Sequence, residues 1–276
     1  MLQTENFETE IKPITHFSFN IKELWQNREL IYFFVWRDFK VKYKQTIIGI
    51  LWVFIQPLTL LCVFYFALSK SIQPNLHYMS YGYFVLTGLI LWQLFSSAIS
   101  QAAESMVSNS NIIKKIYFPR LVIPIASIGN SLIDFLIMTV ALVIGSFFLN
   151  NHLHFLSFFY LIGATIMAIM SSFGFGSLLA AMNLKYRDIR YALPFMIQIL
   201  LFSSTVLYPL EFQNSTLNLL KNLHPLNGAL HLWRCAFSNE PLNYQILLIG
   251  IFNNLFLFFL GIYYFRKTEA YFADLA

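Results

Sequence analysis

NLKYRDIR, residues 183–190, decides the fold class of this chain. The eight residues carry four charges, whereas residues 155–182 before them and 191–210 after them contain no Asp, Glu, Lys or Arg. A short charged break between two long apolar runs is typical of a hydrophilic loop that joins two membrane-spanning helices. Because three of the four charges are positive, the loop also indicates which side of the membrane it faces.

The composition of the whole chain predicts an integral membrane protein. Of its 276 residues, 58% are hydrophobic and only 11% are charged, and the mean hydropathy is +0.61. A soluble domain is about half apolar and about a quarter charged. The N-terminal region lacks the apolar core and small-residue cleavage site of a signal peptide, so we expect it to be retained.

We predict an all-α membrane protein with six transmembrane helices, since about 20 apolar residues suffice to cross a bilayer. The predicted spans are Thr46–Leu68, Tyr81–Ile99, Leu121–Phe148, Phe155–Met182, Tyr191–Leu207 and Ile246–Phe265. The domain organisation that follows is a cytoplasmic N-terminus (1–45), a six-span transmembrane domain (46–265) and a cytoplasmic tail (266–276).

The distribution of Lys and Arg predicts that both termini are cytoplasmic. Seven lie in the N-terminal region, three in the loop after the second span, three in the loop after the fourth span and two in the tail. The remaining loops hold only Lys70, Lys221 and Arg234. Cytoplasmic loops are enriched in these cations, and anionic lipid headgroups attract them. The net charge of +5 therefore indicates contact with membrane lipids and requires no nucleic-acid partner.

The segment Ile21–Tyr43 mixes aromatic residues with cations and is too charged to span the membrane. We predict an amphipathic helix in the cytoplasmic interface, with its aromatic side chains toward the lipid and its cations toward water. Two compatible interpretations stay open: a simple membrane anchor, and a docking surface for a soluble partner.

The longest internal cytoplasmic connection is Gln101–Pro124, which exceeds what is needed to join two helices. Its part Asn111–Tyr117 is amphipathic, and Pro119 and Pro124 mark the entry to the third span, where proline is tolerated. We predict a short helix that lies across the cytoplasmic face. The alternative is a solvated loop with ordinary cytoplasmic cations.

A polar stripe runs along the third predicted span. Ser127, Asn130, Ser131 and Asp134 share one helical face because they are three or four residues apart. Asp134 is the only acidic residue inside the six predicted spans, and a charge there costs about 2.5–3.5 kcal/mol unless it meets a partner or water. The stripe either lines a hydrophilic pathway or forms an interhelical hydrogen-bond cluster.

Two further patterns concern packing. The outer stretch Tyr208–Gln245 contains a fairly apolar part, Leu217–Phe237, that charged residues and a proline interrupt. It predicts two short re-entrant helices, whose backbone must be buried in protein or wetted. In the fourth span, small residues recur every four positions and predict close helix packing within the subunit in preference to a dimer seam; they are Ala164, Ala168, Ser172, Gly176 and Ala180.

The sequence lacks the motifs of nucleotide hydrolysis and of carboxylate or metal-dependent catalysis. No GxxxxGK[ST] phosphate-binding loop occurs, so we expect no nucleotide hydrolysis by that route. Neither the loops nor the two cysteines offer a paired-carboxylate or metal-ligand pattern. We therefore predict no catalytic residue, no metal and no cofactor in this chain.

Three segments in register carry a resemblance to a known family. NLKYRDIRYALPFMIQILLFSSTVLYP (183–209), NIIKKIYFPRLVIP (111–124) and RDFKVKYKQTIIGILWVFIQPL (37–58) are similar to segments of ABC-2 type permeases that export polysaccharides. The tail FRKTEAYFADLA (265–276) also fits. The chain departs from the family pattern at His224, where members often have Asn before the proline.

The resemblance implies a half-transporter in the bacterial inner membrane. Two copies would form the pathway, and two copies of a separate ATPase would bind ATP and magnesium. The substrate would be a polysaccharide on a polyprenyl-diphosphate lipid, such as O-antigen. Three other functions stay open: export of a drug or small lipid by the same fold, an ATP-independent flippase, and a membrane enzyme that acts on lipid-linked sugars.

The resemblance also implies roles for individual residues. The residues expected to contact the ATPase are Gln101, Glu104, Ser105, Asn109, Asn111, Lys114 and Lys115. The candidates for the substrate pathway are the aromatic Tyr65, Tyr83 and Trp92 together with Asn130 and Asp134. Cations at the inner rim that could meet a lipid diphosphate are Arg37, Lys44, Arg120 and Arg187. The same cations also follow from the positive-inside bias alone.

Overall fold

The structure is a computed structural model. It describes residues 21–44, 46–73, 76, 78–148, 154–186, 188–210, 214–238, 240–269 and 272. Among these residues the regular elements are eleven α-helices and one short 3-10 helix, Gly49–Leu51. The α-helices are α1 (Ile21–Gln26), α2 (Arg28–Lys44), α3 (Trp52–Ile72), α4 (Tyr81–Ser108), α5 (Ser110–Ile113), α6 (Val122–Phe148), α7 (Phe155–Lys185), α8 (Ile189–Ser203), α9 (Ser215–Asn222), α10 (Asn227–Cys235) and α11 (Tyr244–Glu269).

Within the described part of the chain, five helices are long and apolar enough to cross a bilayer: α3 with the preceding 3-10 turn, α4, α6, α7 and α11. The fifth predicted span instead contains α8, which has 15 residues and is therefore only about 22 Å long. The hydrocarbon core is about 30 Å thick. The structure therefore supports five full-length spans and one shorter apolar helix.

Side-chain hydrogen bonds explain why α8 ends early. Ser204, the residue after the helix, has extended backbone, and its hydroxyl accepts a hydrogen bond from the backbone N–H of Val206 at 3.2 Å. The backbone N–H of Thr205 donates to Oδ1 of Asn227 at 3.1 Å. Because side chains accept hydrogen bonds from these two backbone N–H groups, the helix can end here with both donors paired.

The second predicted span is longer than expected. We predicted that it ends at Ile99 and that a separate short helix follows, but α4 continues to Ser108 and α5 contains only four residues. The residues between Ile99 and Ser108 include no proline or glycine, so nothing interrupts the helix before Asn109. The side-chain amide of Asn109 donates to the carbonyl of Ser105 at 2.8 Å at the end of the helix.

Helix α2 of the N-terminal region packs along α6. The ring of Phe34 lies 6.0 Å from that of Phe118, and Val35 faces Gly129. Phe33 and Trp36 are exposed beside the cations of α2, and the predicted orientation of its aromatic side chains toward lipid stays a prediction. The protein covers one side of α2 and leaves its mixed side open.

Two hydrophobic cores hold the helices together. The first contains Tyr81, Phe95 and Trp233 and joins α4, α7 and α10. The second contains Met106 and Phe265 and joins the other end of α4 to the start of α6 and the ends of α7 and α11. Since α4 contributes to both cores, it is the central helix of the fold.

Close helix contacts depend on small residues, as predicted. All five residues of the small-residue face on α7 are buried within the single chain, so its predicted role in packing within the subunit is confirmed. A Cβ at Gly176 would lie 2.8 Å from the Cβ of Ala102 in α4. At the crossing of α7 and α11, a Cβ on Gly261 would collide with the backbone carbonyl of Gly174.

Two short helices, α9 and α10, occupy the stretch where two re-entrant helices were predicted. All residues of α10 except His231 are buried, and the helix packs against α4, α7 and α11. Gly228 of α10 and Gly250 of α11 approach so closely that a Cβ on either would lie 2.6 Å from the other's Cα. The protein itself therefore surrounds α10.

Candidate functional site

The acidic residue of the polar stripe is held by the end of the N-terminal helix. Lys42 forms an ion pair and hydrogen bond with Oδ2 of Asp134, and the hydroxyl of Tyr43 donates to Oδ1 at 2.5 Å. Asp134 is only 7% exposed. Burial, and then the hydrogen bond and charge of Asp134, raise the pKa of Tyr43, so its hydroxyl stays protonated and remains a donor.

The stripe continues into a bridge between α6 and α4. The side-chain amide of Asn130 donates to Oε1 of Gln101 at 2.8 Å, and Nε2 of Gln101 donates to the hydroxyl of Ser131 at 2.9 Å. Ser127 instead donates to the backbone carbonyl of Ile123 at 3.1 Å. Three of the four stripe residues thus make contacts between helices. Of the two interpretations of the stripe, a hydrophilic pathway or an interhelical hydrogen-bond cluster, these contacts correspond to the cluster.

A second polar contact ties α2 to the end of α4. Nη2 of Arg37 donates to Oδ1 of Asn109 at 2.9 Å, while Arg37 also pairs with Asp38 at 2.8 Å. The guanidinium lies 4.8 Å from the centre of the Phe34 ring. Helix α2 is therefore bound at its middle to the end of α4, and at its end to Asp134 within α6.

The connecting segment, residues 109–120, offers an exposed surface between these anchored points. Ile113 and Phe118 are buried in the second core, whereas Lys114, Lys115, Ile116 and Tyr117 are exposed. A cavity of about 310 Å³ lies along the segment. Cations and large apolar side chains lie together on this surface, and its start is held by the hydrogen bond between Asn109 and Arg37.

The residues expected to contact an ATPase fall into two groups. Gln101, Glu104 and Ser105 lie within α4. The side chain of Gln101 is hydrogen-bonded to Ser131 of α6, and Ser105 is buried. Glu104 is half exposed, 3.8 Å from Arg190. The other four residues lie in the connecting segment, where Asn111, Lys114 and Lys115 are exposed and Asn109 is buried.

The candidate inner-rim cations differ in their surroundings. Arg37 is paired as described, Arg120 contacts the last turn of α11 through the backbone carbonyl of Glu269, and Lys44 is exposed. Arg187 lies outside the described residues. Arg37 and Arg120 thus each have a hydrogen-bonded partner, whereas Lys44 has none among the described residues.

The candidate aromatic residues of the substrate pathway also differ in how deeply they are buried. Tyr65 on α3 is 46% exposed, while Tyr83 and Trp92 are 8% and 5% exposed and belong to the first core. The Tyr65 ring stacks on that of Tyr81 at 6.4 Å. A substrate on the surface of this chain would reach Tyr65, whereas Tyr83 and Trp92 support the packing of α4.

The partners of Asp134 and the contacts of Arg234 were not predicted from the sequence. Arg234 is buried in α10, where Nη2 donates to the backbone carbonyls of Val206 at 3.1 Å and Phe84 at 3.3 Å. Its guanidinium lies 3.5 Å from the centre of the Phe84 ring, and burial lowers its pKa to about 9. The only signal in the sequence was a charge within an otherwise apolar stretch.

Comparison with known proteins identifies the class. Residues 29–237 match the ABC-2 type transporter family, and the chain belongs to this family. It is thus a multi-pass membrane transport subunit, and the family resemblance drawn from its motifs is confirmed.

Individual relatives are more specific. Two O-antigen export system permease proteins RfbA of Klebsiella pneumoniae are each 28% identical over 242 residues, which cover 87% of this chain and 92% of each relative. A protein of the same name from Myxococcus xanthus is 23% identical over 225 residues, which cover 80% of this chain and 85% of the relative. The similarity therefore extends over nearly the full length of these permeases.

Proposed function

We propose that this chain is the permease subunit of an ATP-driven exporter that moves a polyprenyl-diphosphate-linked polysaccharide, such as O-antigen, across the bacterial inner membrane. Two copies would assemble with two copies of a cytoplasmic ATPase, which would bind ATP and magnesium. The observation that carries this proposal is the similarity to O-antigen export permeases over 87% of the chain.

The contacts of α2 suggest how ATP hydrolysis would act on the membrane helices. An ATPase would dock on the exposed part of the connecting segment, residues 114–117. Movement there would be passed to Arg37 through its 2.9 Å hydrogen bond to Asn109, and along α2 to Asp134. Since a rigid helix transmits displacement along its length, α2 would couple the cytoplasmic surface to the interior of α6.

The exposure of α3 supports an assembly of two copies. Only 11% of the residues in the most apolar stretch of α3 are buried, against 72% in α4. An apolar helix with so little protein around it must face lipid or a second chain. A pathway between two copies would run along such exposed faces, which include Tyr65.

A sixth crossing would combine α8 with the non-helical segment that follows it. Helix α8 accounts for about 22 Å, which leaves about 8 Å of the hydrocarbon core. Residues 204–210 are long enough to cover that distance without being fully extended. Non-helical backbone at that depth must be buried in protein, and Ser204, Val206 and Leu207 are fully buried. Six crossings place both termini on the cytoplasmic side, in line with the distribution of cations.

Reconstitution tests the proposal. The chain would be co-expressed with a cytoplasmic ATPase subunit from the same organism, purified, and placed in proteoliposomes that contain the lipid-linked polysaccharide. We expect the two proteins to co-purify and the polysaccharide to cross the bilayer only with hydrolysable ATP. Movement without ATP would indicate a flippase instead, and ATP-dependent movement of only drugs or small lipids would indicate a different exporter of the same fold.

A further inference from the structure

The last turn of α11 returns to the connecting segment. Glu269 is 4% exposed and Phe272 is fully buried, and the Phe272 ring packs against that of Phe265 at 5.0 Å. Both Phe residues belong to the second core, together with Ile113 and Phe118 of the connecting segment. The described end of the chain is thus built into the same core as that segment.

Polar contacts join the two regions at Arg120. The Arg120 guanidinium donates to the backbone carbonyl of Glu269, and the Arg120 backbone N–H donates to Oε1 of Glu269 at 3.3 Å. Oε2 accepts from Nη1 of Arg266 at 2.7 Å. The guanidinium of Arg120 also lies 5.8 Å from the centre of the Phe272 ring. One buried carboxylate therefore binds the end of the connecting segment and the last turn of α11 together.

These contacts complete the anchoring of the connecting segment. Its start is tied to α2 through Asn109 and Arg37, and its end is tied to α11 through Arg120 and Glu269. The part between them is exposed, and α6 begins at Val122, two residues after Arg120. A displacement of the exposed part reaches α6 through Arg120, whose position depends on Glu269.

We propose that Arg266, Glu269 and Phe272 form a C-terminal clamp that positions the connecting segment, so that the start of α6 and the end of α11 move together when the ATPase moves the segment. This inference rests on the proposed function and assigns Glu269 as a positioning residue for energy coupling. A buried ion pair often adds little stability over an apolar contact of the same size, but it restricts the relative orientation of the groups that it joins. The clamp is therefore suited to hold the start of α6 and the end of α11 in a fixed relative orientation.

The test uses the full permease–ATPase complex in proteoliposomes. The variants are Glu269→Gln, which removes the charge, and Phe272→Leu, which keeps an apolar side chain. Lys267→Ala, an exposed position in the same turn, is the matched control. For each we would measure the ATPase bound per permease, the rate of ATP hydrolysis, and the polysaccharide exported per ATP hydrolysed.

We expect both clamp variants to bind the ATPase and hydrolyse ATP, while export per ATP falls about fivefold or more, as is typical when coupling between two sites is lost. The control should match the wild type. A wild-type ratio of export to hydrolysis in either clamp variant overturns the clamp, and so does a loss of export that only follows a loss of bound ATPase. If Glu269→Gln does not accumulate, Phe272→Leu decides the question. Failure of the wild-type complex itself to bind an ATPase or to export would instead contradict the proposed function.

Discussion

Asp134 illustrates how one buried charge organises its surroundings. An acid within an apolar helix needs a partner, and the structure supplies two from α2, Lys42 and Tyr43. Both carboxylate oxygens are thereby occupied. We interpret Asp134 as one of the points at which α2 is attached to the membrane helices, and this role differs from that of a residue that touches the substrate.

Replacement of Asp134 tests this attachment. We expect Asp134→Ala to lower export about fivefold or more, because α2 loses its tie to α6. The loss of stability should be small, about 1–2 kcal/mol, since Lys42 is 39% exposed and can return to water. Export in proteoliposomes and the thermal midpoint in detergent would be compared with Glu29→Ala, an exposed acid in the first turn of α2. Normal export by Asp134→Ala would contradict this role.

His224 provides a pH-dependent contact between α8 and the helices that follow it. Its Nδ1 accepts from the backbone N–H of Leu226 at 3.1 Å, so the geometry assigns the proton to Nε2, which donates to the carbonyl of Leu200 at 3.1 Å. Burial lowers the pKa of His224 from 6.5 to about 4. Because the folded state favours the neutral ring, its contribution is present above pH 6.5 and is lost as the pH falls toward 4.

The variant His224→Asn should remove that dependence. Between pH 7.5 and pH 4.5 the wild type is expected to lose about 2–3 kcal/mol more stability than the variant, because only the histidine must take up a proton on unfolding. His231, which also titrates in this region with a lowered pKa, is unchanged in both proteins. Thermal unfolding across this pH range measures the difference, and parallel curves for the two proteins would show that His224 does not titrate as described.

At the scale of elements, the crossing of α7 and α11 depends on two glycines. A methyl group on Gly261 would collide with the backbone of Gly174, and neither backbone can move without separating the helices. We expect Gly261→Ala to cost about 3 kcal/mol or more. Gly145→Ala is the matched control, because a Cβ there meets nothing within 4 Å and alanine is the better helix former. The thermal midpoints of the two variants measure this difference, and we expect a lower midpoint for Gly261→Ala. Equal midpoints would contradict the tight crossing.

Local pattern was enough to predict most of the elements. The long helices follow from apolar length, and the small-residue face of α7 follows from its four-residue period, so both could be predicted from sequence. The early end of α8 could not, because it depends on Asn227, which lies 22 residues beyond Thr205 along the chain. The extension of α4 to Ser108 was missed because the polar residues after Ile99 were assigned to a connection with a separate short helix, although none of them breaks a helix.

The candidate site was predictable only in part for the same reason. Asp134 was recognised from its position within an apolar run, whereas its partner Lys42 is 92 residues away in sequence. Arg120 was recognised as a cation, but its partner Glu269 is 149 residues away. Residue type and local spacing identify groups that require a partner, and only the tertiary arrangement shows which partner each one finds.

At the scale of the whole molecule, the described residues leave three surfaces exposed. Its central helix α4 is buried in both cores, while α3 and the mixed face of α2 are left uncovered. The exposed connecting segment lies between two anchored ends. These three surfaces correspond to what the proposed assembly requires: a second copy, membrane lipid and a cytoplasmic ATPase.

The location of the polysaccharide in cells that lack this chain tests the proposed function most directly. We predict that complete lipid-linked polysaccharide accumulates at the cytoplasmic face of the inner membrane, and that the wild-type chain restores it to the cell surface while Asp134→Ala restores it poorly. Surface polysaccharide at normal levels without the chain, or absence of the completed polymer inside the cell, would contradict the assignment as an exporter.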